Sequence, residues 1–423
     1  MRTTSARPAY PVTRNAILLA AGLVCLNATQ QLFVALGTVT LVSITGIEGI
    51  LGLGPAIFLI AGAIAVFPAG RMADRFGRMP VIRAGFALGI AAALVTGLAC
   101  AVESAALVVL GFGLMGATGS IVLLSRAAAA EMFPPERRAR GISLVLFGAV
   151  SAAIFGPLFF GPMFAGRDLT PDELVVPWLS SSVFLVVGIV LSFLVRPDPK
   201  TIGASYRTTS GARADAPAAP LRVILQRPGV GTALVGAVTS FAVMVAVMNL
   251  SGYVAIDRHH HQSDVFTIIS AHIVGMYGLI LIVGDIVHRL GSRTAIVAGL
   301  SLMALSNIVL WPLDGLVGMS FSLFVLGLGW SLAYVAATAQ LVELAASSER
   351  GRLVGFNDLL AATTAAVLAL GWGALYSESG AAALAITSGI LAALPALWVL
   401  VRPAPRAPLP ESAYAAQAAE ARR

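Results

Sequence analysis

The sequence predicts an all-α integral membrane protein with twelve transmembrane helices in two pseudo-symmetric six-helix bundles. Hydrophobic residues make up 58% of its 423 residues and charged residues only 11%, and the mean hydropathy is +0.90. A soluble domain is usually about a quarter charged, so this composition excludes a water-soluble fold. No alternating ten-residue strand pattern occurs, which leaves helices as the structure that satisfies the backbone in lipid.

Twelve apolar stretches support that helix count, because a spanning helix needs roughly 20 mostly apolar residues. They cover residues 15–43, 50–69, 80–102, 104–130, 141–164, 177–195, 229–255, 266–284, 294–313, 315–342, 353–376 and 381–401. The first stretch follows basic residues, as the core of a signal peptide does, but it is too long for such a core and lacks a clear cleavage site. We therefore expect it to be the first transmembrane helix.

The basic residues predict the orientation in the membrane. With a cytoplasmic N-terminus, every Lys and Arg except Arg167 and Arg258 falls on the cytoplasmic side or at a helix end that faces it. This sorting follows the positive-inside rule and places both termini in the cytoplasm. The net charge of +7 is then a consequence of topology, and no nucleic-acid partner is expected.

A polar segment divides the chain. Residues 197–228 are rich in Pro, Ala, Ser and Thr and carry several basic residues, which predicts a cytoplasmic linker. It joins an N-terminal bundle, residues 1–196, to a C-terminal bundle, residues 229–402. Residues 403–423 are rich in Pro and Ala and are predicted to form a disordered cytoplasmic tail.

The two halves repeat a short loop pattern after their second and eighth apolar stretches. The first loop carries Gly70, Asp74, Arg75, Gly77 and Arg78, and the second carries Gly284, His288, Arg289 and Gly291 at an offset of 214 residues. Glu131 and Glu343 recur in the same way after the fourth and tenth stretches. Parallel repeats joined by a long linker are typical of secondary transporters.

The first copy of the loop, GRMADRFGR from Gly70 to Arg78, resembles the G-x-x-x-D-R-x-G-R motif of the major facilitator superfamily. The segment GPLFFG, which begins at Gly156, resembles the G-P-x-x-G-G antiporter motif of that family, with Phe160 in place of one glycine. Further stretches are similar to an uncharacterised bacterial subgroup: residues 125–131, 259–261, 270–272, 326–330 and 355–358. The resemblance covers residues 14–402 and implies a transporter fold.

The resemblance also implies a cytoplasmic gate. In relatives, the Asp of the loop motif docks on the start of the eleventh helix, and an Arg of the motif reaches an acid near the end of the fourth. Carried over, Asp74 meets the helix that begins near Leu353, and Arg75 or Arg78 meets Glu131. The alternative is that these charges only set the topology. His288 replaces the Asp in the second copy, so a matching gate there is weaker or depends on pH.

Ionisable side chains inside the apolar stretches are candidates for function, because an isolated charge in the membrane costs at least ~2.5 kcal/mol on insertion scales. Asp358 and His272 are the proton-coupling candidates, and Asp358 has the alternative role of a helix-start residue in the gate. Arg126 is a candidate for binding an anionic group or pairing with an acid, and its alternative is snorkelling to the cytoplasmic interface.

Other polar residues are expected to line a central cavity, which helices 1, 4, 7 and 10 surround in the family that the sequence resembles. With Arg126, these are Asn27, Gln30, Gln31, Asn249, Tyr334 and Gln340. A separate run, His259, His260 and His261, is interpreted as a solvated loop, with pH sensing and metal binding as alternatives. Three consecutive side chains cannot all face one metal, so no metal site is assigned.

No enzyme motif or cofactor-binding motif occurs in the sequence, so we expect no enzymatic activity and no cofactor beyond a proton gradient. The partial antiporter motif favours proton-coupled efflux of a small molecule. Metabolite uptake, facilitated diffusion, or a non-transporting membrane sensor or assembly factor are the alternatives. The expected partners are a small-molecule substrate and the lipid bilayer, and the expected location of the protein, as a monomer, is the bacterial inner membrane.

Overall fold

The computed structural model describes residues 10–134, 137, 141, 144–145, 148–164, 170–209, 219–310, 313–346 and 348–402, and no β-strand occurs among them. The predicted tail, residues 403–423, and the middle of the predicted linker lie outside these residues. Part of the fifth predicted helix, between residues 141 and 148, also lies outside them.

The described chain is a succession of helices. In order, they are α1 (Val12–Thr45), α2 (Leu53–Phe76), α3 (Arg78–Ala101), α4 (Ala105–Val122), α5 (Ser125–Glu131), α6 (Ala152–Phe155), α7 (Pro171–Leu194), α8 (Pro199–Thr209), α9 (Leu221–Leu225), α10 (Val230–Asp257), α11 (Gln262–Tyr277), α12 (Ile280–Leu290), α13 (Ser292–Leu310), α14 (Leu316–Glu343) and α15 (Arg350–Val401). A π-helical turn, Gly156–Phe160, follows α6.

The helical membrane class is confirmed, and the count of twelve is met only in part. Among the described residues, 8 helices are long and apolar enough to cross a membrane, or 9 if α11 and α12, bent by 54°, form one span. Helix α15 covers the last two predicted stretches, and Gly380 breaks its helical backbone with φ 71° and ψ −169°. Shorter apolar helices occupy the places of the fifth and ninth predicted spans.

Small residues bring the helices together within each half. A Cβ built at Gly116 of α4 would overlap the Phe58 carbonyl of α2, and one built at Gly327 of α14 would overlap the His272 carbonyl of α11. Lipid gives helices no hydrophobic reason to associate, so close backbone approach through glycine supplies the van der Waals contact instead.

The two halves contact each other toward the end of the molecule that the charge distribution predicts to be external, called the external end below. Gln31 Nε2 donates to Ser270 Oγ at 3.0 Å, and Thr38 Oγ1 donates to the Asn249 carbonyl at 3.3 Å. At the same end, a Cβ at Gly52 would overlap the Ala369 carbonyl. The halves are therefore closed together at the external end.

Candidate functional site

A polar cluster lies where the halves face each other, and we call Arg126, Tyr334, Asn357 and Asp358 the interface cluster. Asn357 Nδ2 donates to Asp358 Oδ1 at 3.2 Å, and the Tyr334 hydroxyl interacts electrostatically with the same carboxylate. Arg126 belongs to the N-terminal half and interacts electrostatically with Asp358 and Tyr334 of the C-terminal half. The carboxylate remains accessible to solvent. Arg126, Tyr334 and Asp358, which the sequence singled out separately, therefore interact electrostatically with one another.

Four aromatic rings, called the aromatic wall below, extend from the interface cluster. Trp330 and Tyr334 lie one turn apart on α14 and are stacked, with ring centroids 5.2 Å apart and planes 12° apart. Tyr277 meets the Trp330 ring edge-on at 5.8 Å, and Phe241 lies 6.0 Å from Tyr334. Arg126 of the N-terminal half also interacts electrostatically with Tyr277.

His272 lies apart from the interface cluster. Its side chain is fully buried, and Nδ1 lies 2.7 Å from the Leu323 carbonyl of α14. Because a carbonyl can only accept, Nδ1 carries the proton in this contact. Nε2 has no hydrogen-bond partner among the described residues. The position of His272 is thus within the packing of the C-terminal half.

The remaining cavity candidates divide between two positions. Gln31 and Asn249 lie in the contact between the halves, and Asn249 Nδ2 also donates to the Val245 carbonyl of its own helix at 2.7 Å. Gln340 Nε2 donates to the Gly229 carbonyl at 3.0 Å, which attaches the end of α14 to the start of α10. Asn27 and Gln30 are half-buried on α1.

The first loop motif forms an ion-pair group in the N-terminal half, called the N-terminal clasp below. Arg78 donates to both carboxylate oxygens of Glu131, at 3.0 and 2.5 Å, and its other nitrogen lies 3.2 Å from Asp74 Oδ1. The Asp74 side chain is 71% exposed. No hydrogen bond or ion pair joins Asp74 to α15 among the described residues, so the expected docking near Leu353 is absent in this conformation.

The sequence reasoning missed Asp198, which holds the N-terminus of α3. Its carboxylate accepts hydrogen bonds from the backbone N–H groups of Arg78 at 3.2 Å and Met79 at 2.9 Å. A carboxylate at a helix N-terminus satisfies free donors and complements the helix dipole. Gly77, with φ 103°, lies so close that a Cβ there would be 2.8 Å from Asp198 Oδ2. The sequence did hold a signal for this role, because Asp198 is the first acidic residue after the sixth apolar stretch.

The C-terminal half has a different ion pair, called the C-terminal clasp below. Arg227 donates to both oxygens of Glu349, at 2.6 and 3.0 Å, and the two side chains are only 6% and 1% exposed. The carboxylate also accepts from the N–H groups of Ala346 at 3.0 Å and Ala219 at 3.1 Å. Burial alone raises the pKa of Glu349, but these hydrogen bonds outweigh it and hold that pKa below its usual range.

The second loop copy takes no part in the C-terminal clasp. His288, Arg289 and Glu343 are exposed, and no salt bridge of the described residues includes them. Gly284 has open space around its Cα, and Gly291 ends α12 with φ 79°. The sequence repeat therefore does not locate the ion pair that the C-terminal half uses.

The histidine run lies at the external end. His261 caps the start of α11 together with Asp264, and His260 Nε2 lies 2.5 Å from the Asp314 carbonyl. His259 adopts φ 63° in the turn after α10. The described residues hold no group of three or more His, Cys, Asp or Glu side chains suited to a metal ion.

A second feature that the sequence reasoning missed joins the halves at the external end. The Tyr253 hydroxyl interacts electrostatically with Glu48, which precedes α2 in the N-terminal half. Tyr253 also meets the Tyr376 ring edge-on at 5.9 Å, and the Tyr376 hydroxyl donates to Asp257 Oδ2 at 2.7 Å. This group, called the external latch below, holds α10 and α15 against the start of α2.

Sequence comparison identifies relatives along most of the chain. The family model described as Major Facilitator Superfamily matches residues 17–369 and, separately, residues 232–420. A protein of Bacillus subtilis (strain 168) named uncharacterized MFS-type transporter YdeG is 27% identical over 370 residues, 85% of each chain. The riboflavin transporter RfnT of Brucella anthropi is 26% identical over 375 residues, 87% of this chain and 90% of that relative.

Solved structures agree on the fold. The xylose transporter XylE from E. coli, in a partially occluded inward open conformation, gives a TM-score of 0.72 at 13% identity, covering 92% of this chain and 98% of that chain. The peptide transporter POT in complex with sulfate gives 0.68 at 16% identity, covering 92% and 94%. Sequence identities this low show a similarity of fold only. With the family match over most of the chain, they show that this protein belongs to the major facilitator superfamily of multi-pass membrane transporters.

Proposed function

We propose that this protein is a secondary transporter in which Asp358 couples a proton gradient to the movement of a small molecule by alternating access. The observation that carries the proposal is the position of Asp358, a carboxylate inside an apolar stretch that accepts from Asn357 Nδ2 at 3.2 Å and is close enough to Arg126 of the N-terminal half to interact electrostatically. A charge within a membrane domain is costly unless it is compensated. An attraction between the halves that depends on the charge of Asp358 would tie their relative position to its ionisation.

The proposed coupling step is a change in the charge of the interface cluster. When Asp358 binds a proton, its attraction to Arg126 is lost, and the halves can part at this point. When it releases the proton, the attraction returns. Asn357 orients the carboxylate through the hydrogen bond described above, so the proposed protonation and the change in attraction both occur at the Asp358 carboxylate.

The proposed cytoplasmic gate is the N-terminal clasp. In the outward-facing state, Asp74 leaves Arg78 and docks on the start of α15 near Leu353, while the external latch opens. This exchange suits Asp74 because its side chain is 71% exposed and its present partner is a surface ion pair, which contributes only about 0–1 kcal/mol. Asp74→Asn is then expected to favour the inward-facing state, measured as the spin-label distance between Met72→Cys and Gly351→Cys.

Efflux is the direction that we propose first. The antiporter-like segment supports it, because Gly156–Phe160 forms a π-helical turn and Phe160 stacks on Phe266 of the other half at 6.0 Å. π-helical turns are rare and frequently lie at functional sites. Uptake is the second candidate, and the name of one relative, riboflavin transporter RfnT, favours it with a flavin-like metabolite as cargo.

The test is an untargeted comparison of metabolites in cells and medium, for cells without the protein, with the wild-type protein, and with Asp358→Asn. Efflux predicts a compound that moves to the medium only with the wild type, and uptake predicts one that accumulates inside. Glu378→Gln is the matched control, because Glu378 is an exposed acid within α15, just before the break at Gly380, and lies outside the interface cluster.

The identified compound is then loaded into proteoliposomes that contain a pH-sensitive dye. We expect the wild type and Glu378→Gln to carry protons together with the compound, and Asp358→Asn to lose this coupled flux by at least about tenfold. A coupled flux that survives Asp358→Asn unchanged contradicts the proposed role of Asp358. A wild-type flux that is unaffected by any proton gradient contradicts proton coupling altogether.

A further inference from the structure

The last helix of each half leads into the same short sequence. Residues 194–197 at the end of α7 and residues 400–403 at the end of α15 both read Leu-Val-Arg-Pro, at an offset of 206. Both helix ends lie on the side of the molecule that the charge distribution predicts to be cytoplasmic. We propose that each of them binds the phosphate headgroup of an anionic phospholipid through arginine side chains that gather there. This lipid binding is separate from the transport function proposed above.

Three arginines meet at the end of α7, and we call Arg14, Arg83 and Arg196 the N-terminal arginine group. Arg83 of α3 donates through Nη2 to the Ser192 carbonyl at 3.2 Å, and its guanidinium carbon lies 4.3 Å from the centre of the Phe193 ring. Arg196 Nε donates to the Phe193 carbonyl at 3.2 Å, and Arg14 Nη2 donates to the Arg196 carbonyl at 3.4 Å. The last carbonyls of a helix lack partners within it and attract cations, so they hold these like charges together.

The C-terminal half repeats this arrangement at the end of α15, and we call Arg293 and Arg402 the C-terminal arginine group. Arg293, in the first turn of α13, donates through Nε to the Val399 carbonyl at 3.2 Å and through Nη2 to the Leu400 carbonyl. The guanidinium carbon of Arg402 lies 4.8 Å from the centre of the Trp398 ring. In both halves, an arginine of the third predicted span therefore binds the end of the sixth span, beside an aromatic ring.

No acidic side chain forms a salt bridge with these five arginines among the described residues. Asp198, the acid nearest to Arg196 in sequence, already accepts from the backbone N–H groups at the start of α3. In the second copy of the sequence, Ala404 occupies the matching place after Arg402. The cytoplasmic leaflet offers the phosphates of anionic lipids as counter-charges, and a guanidinium binds a phosphate through two parallel hydrogen bonds.

The surroundings of both groups match a lipid better than a dissolved anion. Arg14, Arg196 and Arg402 are exposed. Large apolar side chains stay exposed on the same two helix ends: Phe193, Leu194, Leu400 and Val401. In a membrane protein such side chains contact acyl chains, while arginines at their edge reach the headgroups. A phospholipid presents both parts in this order, and inorganic phosphate presents only the charge.

The two groups are expected to differ in affinity. Each Arg near an anionic membrane surface strengthens binding about fivefold. The N-terminal arginine group has three members and the C-terminal arginine group has two, so the first is expected to bind about fivefold more tightly. Both are expected to prefer phosphatidylglycerol to phosphatidylcholine, because the choline group carries a positive charge that the guanidinium groups repel.

The experiment counts the lipids that stay bound to the full chain in native mass spectrometry. Detergent-purified protein is titrated with palmitoyl-oleoyl phosphatidylglycerol, with phosphatidylcholine of the same acyl chains, or with phosphatidylglycerol and an excess of inorganic phosphate. We expect two phosphatidylglycerol molecules to bind at low lipid concentration and phosphatidylcholine to bind at least about fivefold more weakly. Inorganic phosphate is expected to leave the bound lipid in place.

Variants of the exposed arginines assign the two lipids. Arg14→Gln with Arg196→Gln is expected to weaken one of them by about 25-fold, and Arg402→Gln to weaken the other by about fivefold. Arg222→Gln is the matched control, because it removes the same charge from an exposed residue of α9 that lies outside both groups. The unfolding midpoint without added lipid, expected to be the same for all variants, shows that each is folded.

Three results overturn the proposal. Equal binding of the two lipids to the wild type removes the recognition of the anionic headgroup. Displacement of phosphatidylglycerol by inorganic phosphate assigns the arginine groups to a dissolved anion. Two lipids bound with unchanged affinity after loss of Arg14, Arg196 and Arg402 place the lipid sites elsewhere, as does a loss in Arg222→Gln as large as in the other variants.

Discussion

The two clasps each pair an Arg with a Glu, and they differ in burial. In the N-terminal clasp, Arg78 is 14% exposed and Glu131 is 25% exposed, and Asp74 lies almost in solvent. In the C-terminal clasp, Arg227 and Glu349 are 6% and 1% exposed. Solvent screens the first group, so its contacts can exchange at low cost. The second group cannot lose one member without leaving a charge buried.

This difference suggests a division of work between the halves. The N-terminal clasp is suited to breaking and reforming in each transport cycle. The C-terminal clasp fixes the linker to the C-terminal half, since Glu349 accepts from the Ala219 N–H and Arg352 donates to the Ala219 carbonyl at 2.9 Å. An apolar group around it includes Ile224 of α9 and Leu353 of α15. We therefore expect stability to depend on one clasp and conformation on the other.

The largest expected effect comes from breaking the buried pair. Glu349→Gln leaves Arg227 without its counter-charge, and removing one partner of a buried pair costs about 3–5 kcal/mol. The measurement is the thermal unfolding midpoint and the yield of monodisperse protein in detergent. Glu343→Gln, which changes an exposed acid at the end of α14, is the matched control and is expected to leave both unchanged.

A double variant makes this prediction sharper. Arg227→Met with Glu349→Leu removes both charges, and such replacements are often neutral or stabilising. We expect the double variant to recover only part of the stability that Glu349→Gln loses, because the N–H groups of Ala219 and Ala346 also lose their acceptor. A double variant as unstable as Glu349→Gln alone would show that the backbone contacts, and not the ion pair, stabilise this region.

The C-terminal clasp also predicts how the stability of the protein depends on pH. Since the folded protein holds the pKa of Glu349 below its usual value, the ionised carboxylate stabilises the fold above about pH 4.3, the ordinary glutamate pKa. This contribution is lost as the pH falls through the lower folded-state pKa. The gap in unfolding midpoint between wild type and Glu349→Gln is expected to stay constant from pH 7 to about pH 5 and to shrink only in more acidic buffers.

A gap that shrinks already between pH 7 and pH 5.5 contradicts the assignment, because it places the pKa of Glu349 above its ordinary value. The Glu343→Gln variant, measured in the same buffers, corrects for all other groups that titrate. The difference in unfolding midpoint between Glu343→Gln and the wild type is expected to stay near zero down to about pH 5.

Gly77 and Gly291 occupy matching positions in the two loop copies, so they allow the two halves to be compared. Gly77 and Gly291 both have positive φ, 103° and 79°, but only Gly77 has a neighbour, Asp198 Oδ2, within 4 Å of an added Cβ. Positive φ costs a side chain of order 1–3 kcal/mol. We expect Gly77→Ala to lose more stability than Gly291→Ala, by about 1 kcal/mol, because it also displaces the Asp198 cap. Chemical or thermal unfolding of both variants measures the two losses of stability. Equal losses would mean that the Asp198 carboxylate moves aside without a cost in stability.

Sequence reasoning predicted the helical membrane fold and singled out two charged residues of the interface cluster, and its failures have physical reasons. The lengths of the apolar stretches and the sorting of charge predicted membrane helices, because a lipid bilayer constrains both. Asp358 and Arg126 were conspicuous because charged residues are rare in apolar stretches. Their meeting could not be predicted, since no pattern relates positions so far apart in sequence. The repeat suggested a second gate at His288, whereas the C-terminal half pairs Arg227 with Glu349 through a fold that brings loop and linker together. Glu48 and Tyr253 carried no motif at all.

The smallest expected effect tests what the sequence repeat means. His288→Asp restores the acid of the first loop copy in the second, yet His288 is exposed and the clasp of this half lies elsewhere. Surface substitutions away from such contacts usually change stability by less than about 0.5 kcal/mol, and we expect the same here, with no change in the spin-label distance between Met72→Cys and Gly351→Cys. A shift of that distance toward the closed state would show that the second loop copy engages the N-terminal half during the cycle. The asymmetry between the clasps would then belong to the described conformation alone.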